Sequence, residues 1–90
     1  MTLAIPTIHL NGTSRETLVN DLCDALEALS KAITAVAKTC PNGRDYYVQG
    51  PDAIQEALRQ HANRLHNLTA VKNELNEIAE ELAYRAPQRR

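Results

Sequence analysis

Apolar residues recur every three or four positions in two long stretches of the chain. In the first, Leu18, Leu22, Ala25/Leu26, Leu29, Ala32/Ile33, Val36 and Cys40 line one side of a helix expected from about Ser14 to Thr39. In the second, Ile54, Leu58, His61, Leu65, Leu68, Val71, Leu75, Ile78/Ala79 and Leu82 do the same from about Pro51 to Arg85. Pro41-Asn42-Gly43 stops the first helix, and Pro51 behind Gly50 opens the second. Residues 1–12 predict an extended arm, in which Pro6 bars a central strand position. Asn11-Gly12 is a turn signal. Thr13-Ser14-Arg15-Glu16 fits a capping box with Thr13 as N-cap, and Ser14 is nearly as good a cap.

These elements predict an all-α fold: an antiparallel helical hairpin over residues 13–86, with a disordered tail at 87–90. Each of two paired rods covers the other's stripe from one side only. The expected state is therefore a dimer or larger assembly, with a four-helix bundle the simplest form. The competing expectation is a monomer whose arm lies over the open stripe. Twelve extended residues reach roughly 40 Å, enough for that.

Composition strengthens the case for assembly. The core must come from 11 Leu, 13 Ala, 5 Ile and 4 Val, because Phe and Trp are absent and the three aromatics are Tyr46, Tyr47 and Tyr84. A 90-residue chain without large aromatics buries little apolar surface alone. Cys23 and Cys40 fall 17 residues apart on the first predicted helix, roughly 25 Å along its axis. They cannot pair within one chain, and two buried free thiols are expected.

Ten Lys+Arg against 11 Asp+Glu give a net charge of −1, without the basic excess of a general nucleic-acid binder. No apolar run reaches the ~20 residues of a membrane span, and residues 1–10 lack the basic start of a signal peptide. A cytoplasmic location is expected.

Three polar clusters are candidates for chemistry. His9, Asn11, Thr13 and Ser14 surround a helix N-terminus, where free backbone N–H groups favour an anion, although plain capping needs the same residue types. Arg44, Asp45, Tyr46 and Tyr47 occupy the connector. Arg44 could grip a phosphate and a Tyr ring could stack on a base. Alternatively the tyrosines plug the bundle end while Arg44 pairs with Asp45. His61 and Arg64, three apart, share a face of the second helix, and His61 also reads as a satisfied core histidine. No metal-ligand spacing, nucleophile motif or phosphate-binding Gly-rich loop is present, so neither a cofactor nor an enzyme activity is expected. The first two clusters lie at opposite poles of one hairpin. Antiparallel subunits would bring them together, which puts any ligand site at a subunit interface.

The strings Ile-His-Leu-Asn-Gly-Thr-Ser (8–14) and Pro-Asn-Gly-Arg-Asp-Tyr-Tyr (41–47), followed by His61-x-x-Arg64, resemble a group of short helical proteins encoded by tailed phages and prophages. The resemblance runs from about Thr7 to Leu75 and brings no established activity. Its phage setting implies a class by analogy of architecture: counter-defence sponges, which trap cyclic-nucleotide or ADP-ribose-type signals between subunits. The chain lacks the sequence motif of the helical-hairpin sponges. The leading expectation is a non-enzymatic oligomer that sequesters a small phosphorylated nucleotide in the host cytoplasm. The alternative is a protein–protein interaction module that inhibits a host protein or assists phage assembly.

Overall fold

The computed structural model describes residues 2–84. Helix α1 spans Arg15–Ala37 and helix α2 spans Ala53–Tyr84, joined by two short 3-10 turns, Gly43–Asp45 and Tyr47–Gln49. No strand occurs among the described residues, so the all-helical hairpin follows the apolar spacing. The expected ends at Arg85 and the tail at 87–90 lie outside the described residues.

Ser14, not Thr13, caps α1. The Thr17 N–H donates to Ser14 Oγ at 3.1 Å, and Ser14 Oγ donates in turn to Thr17 Oγ1 at 3.0 Å. With the cap one residue later, Thr17 takes the place expected of Glu16, and a hydroxyl pair replaces the capping box. At the other end Lys38 and Thr39 donate backbone N–H groups to Ala35 and Val36, so the last turn tightens and the helix stops at Ala37.

α1 packs antiparallel on α2. Arg15 in the first turn of α1 reaches the carbonyl of Leu82 in the last turn of α2. The assembly is slender: the Cα radius of gyration is 19.2 Å, against roughly 12 Å for a compact chain of this length. Among the described residues the buried ones are His61, Ala79 and Leu82, all on α2, and α1 buries none. On α1 the apolar residues fill three adjacent heptad rows: Leu18/Ala25/Ala32, Leu22/Leu29/Val36 and Val19/Leu26/Ile33. All of them are half-buried. That is the width of a bundle helix rather than of a two-stranded seam.

The arm forms no strand. Leu3, Ile5 and Ile8 are half-buried between exposed neighbours, while Leu10 is 98% exposed. With the arm present, α1 still has no buried residue.

The cysteine expectation is corrected, since Cys23 and Cys40 are both exposed. Cys23 lies one position past Leu22, at the rim of the stripe. Cys40 lies beyond the end of the helix and so leaves the stripe altogether.

Candidate functional site

The predicted residues fall into two groups at opposite ends of the hairpin. At the first pole the chain turns before α1, with the Gly12 N–H donating to the His9 carbonyl at 3.1 Å. The His9 ring folds over Gly12, and a Cβ added there would lie 2.7 Å from His9 Nε2. His9, Asn11, Thr13 and Ser14 are all exposed. The Ser14 hydroxyl is already engaged by Thr17, so capping accounts for that residue.

Beside this pole lies an open depression of about 340 Å³, lined by Arg15, Glu16, Val19, Asn20 and Ala83. None of these residues was among the candidate site residues of the sequence, where Arg15 and Glu16 figured only in the capping box. Only the antiparallel register that sets Ala83 beside Val19 could have revealed the hollow.

At the second pole, backbone bonds from Asp45 to Asn42, Tyr46 to Gly43, Gln49 to Tyr46 and Gly50 to Tyr47 wind the connector into consecutive tight turns. Gly50 closes it at φ 116°, a conformation that L side chains rarely adopt. Tyr46 is half-buried, as a plug of the bundle end would be. Tyr47 is 75% exposed and Val48 78% exposed. Arg44 and Asp45 are exposed, and among the described residues they form no ion pair with each other.

His61 and Arg64 do not share an environment. His61 is 6% exposed, and among the described residues its imidazole has no hydrogen-bond partner. Arg64 is exposed, with Nη2 donating to Gln60 Oε1 at 3.5 Å. The hundred degrees per residue of an α-helix put position 61 in the row facing α1 and position 64 at the rim. Arg64 ends a polar ladder on the outer face of α2. Gln60 Nε2 donates to Glu56 Oε2 at 3.0 Å, and Arg59 grips both oxygens of the Glu56 carboxylate. Arg59 first and Gln60 second hold the Glu56 carboxyl down to about 2, because their N–H donors favour the ionised form.

The two poles are separated by the length of α1, roughly 35 Å for its 23 residues. One chain therefore cannot join the Ser14 end to the Arg44–Tyr47 connector. Among the described residues no group of His, Cys, Asp or Glu is placed to hold a metal ion. No helix among them is long and apolar enough to cross a membrane. Compared with known proteins, the chain matches no family model, no curated protein and no solved structure.

Proposed function

We propose that this chain is a non-enzymatic protein–protein interaction module that acts through the apolar face one hairpin leaves only half-covered. One observation carries the reading: α1 presents three apolar heptad rows and buries none of them. A face of that width is built to be covered by more than one neighbouring helix. In the phage setting that the sequence resemblance implies, such a module would inhibit a host protein or assist particle assembly.

A second reading, sequestration of a small phosphorylated nucleotide between subunits, draws on the connector. Arg44 offers an exposed guanidinium and Tyr47, three positions on in the same connector, an exposed ring, the two chemistries that hold a phosphate and stack a base. The Asn11–Ser14 turn of a neighbouring copy would complete such a site.

Light scattering at micromolar concentration, combined with depletion of a nucleotide panel by the protein, separates the readings. Association without depletion supports the interaction module. Depletion with intact ligand released by heat supports sequestration, and Arg44→Ala or Tyr47→Ala would then abolish capture with little effect on stability. Chemical conversion of the ligand would overturn both readings.

A further inference from the structure

We propose that the occupant of the open face is a second copy of this chain, docked antiparallel, with the connector pole of one hairpin against the α1-start pole of the other. This rests on the reading of that face as an association surface.

The first argument is charge. From the start to the middle of α1 the acidic residues Glu16, Asp21, Asp24 and Glu27 outnumber Arg15, and Lys31 and the C-cap Lys38 follow. On α2 the order is inverted: early on, Arg59 and Arg64 outnumber Glu56, and later Glu74, Glu77, Glu80 and Glu81 outnumber Lys72. Antiparallel packing within one chain therefore gathers the acidic portions of both helices at one pole. Lys31, Lys38, Arg44, Arg59 and Arg64 gather at the other, where they outnumber Asp45, Asp52 and Glu56, while Arg15 and Lys72 stay in the acidic half. Two copies side by side in parallel would set acid against acid at separations where screening by physiological salt is incomplete. Antiparallel docking sets the acidic pole of each copy against the basic pole of its partner, which selects orientation as well as partner.

The second argument is the distribution of burial. His61 lies towards one pole and Ala79 and Leu82 towards the other. Between them, Leu65, Leu68 and Leu75 are half-buried and Val71 is 47% exposed. The gap is in the middle of the rod, where a twofold axis brings a surface against itself. A strip about 35 Å long and two helices wide offers on the order of 700 Å² per copy, close to the ~800 Å² per partner of a stable interface. The same docking sets the His9–Ser14 turn of one copy beside the Arg44–Tyr47 connector of the other.

The test uses the full chain. Sedimentation equilibrium at micromolar concentration should give a dimer, with a dissociation constant weakened about tenfold or more between 50 and 500 mM salt. A Cys23→Ser variant carrying a nitroxide on Cys40 should then show an inter-spin distance of roughly 35–45 Å by pulsed electron–electron resonance, because each Cys40 sits at an opposite end of the pair. A dimer with Cys40 labels under about 25 Å apart is parallel and overturns the docking sense alone. A single-copy mass at both salt concentrations overturns the docking and removes self-association as the use of the open face.

Discussion

Arg15 donates from Nε to the carbonyl oxygen of Leu82 at 3.1 Å, joining the first turn of α1 to the last turn of α2 across 67 positions of sequence. The carbonyls at a helix C-terminus have no partner within their own helix and carry the negative end of its dipole. A guanidinium there satisfies one carbonyl and complements the field. Arg15→Ala is expected to cost about 1–2 kcal/mol and to lower the melting temperature by several degrees. Amide exchange should speed up most over residues 79–84. Unchanged exchange there would mean that the contact does not hold the pole closed. Lys at this position should restore little, because the bond uses the secondary nitrogen of a planar fork.

The helix start separates two neighbouring hydroxyls. Ser14→Ala removes the acceptor of the Thr17 N–H and should cost about 1 kcal/mol in urea unfolding. Thr13→Ala touches an exposed side chain outside the cap and should stay within about 0.5 kcal/mol of the parent. Equal losses from the two would show that the cap is shared.

Glu56 gives a pH signature. Its carboxyl is held down to about 2 by Arg59 and Gln60, below the ~4.3 of an unfolded chain. A depressed folded value stabilises the native state above the unfolded value. That contribution fades as pH falls from about 4.3 through about 2. Because the carboxylate is exposed, the effect on global stability is small and the sensitive measurement is local. Carboxyl carbon chemical shifts should give Glu56 a midpoint below the other glutamates, and Arg59→Ala should return it to the common range.

His61 is a polar ring on the apolar row of α2 with no hydrogen-bond partner among the described residues. A buried donor and acceptor left unsatisfied costs free energy that an apolar side chain of similar size does not. His61→Leu is expected to stabilise the chain by about 1 kcal/mol in thermal unfolding. A loss of that size instead would reveal that the imidazole has a partner in the assembled protein.

The two rods were legible because their stripes run unbroken at three- and four-residue spacing over many turns, from Leu18 to Val36 and from Ile54 to Leu82. So was the separation of the polar clusters, which follows from helix rise alone. The cap was harder to place because Thr13 and Ser14 offer the same oxygen, and only the backbone bond from Thr17 chooses between them. The exposure of Cys23 and Cys40 was hidden because the first helix was expected to run on to Thr39, whereas it stops at Ala37 and leaves Cys40 outside, and Cys23 falls at the rim of the stripe. His61 and Arg64 appeared together on a helical wheel. Three residues are enough to carry one inside and leave the other at the rim. The depression beside Ala83 depends on which residues of two distant segments come level, and no local pattern encodes that.

Gly50, at φ 116°, is the joint from which α2 departs. The helix beyond it has 32 residues and extends roughly 48 Å, so a tilt of about 5° at this one glycine swings the far tip by about 4 Å. No atom lies within 4 Å of where a Cβ would stand, so a methyl group there meets no steric wall and acts only through the torsion it forbids. A single alanine in the connector would thus work as a tiller. It would open or pinch the hollow at the opposite end of the rod without altering any residue that lines it.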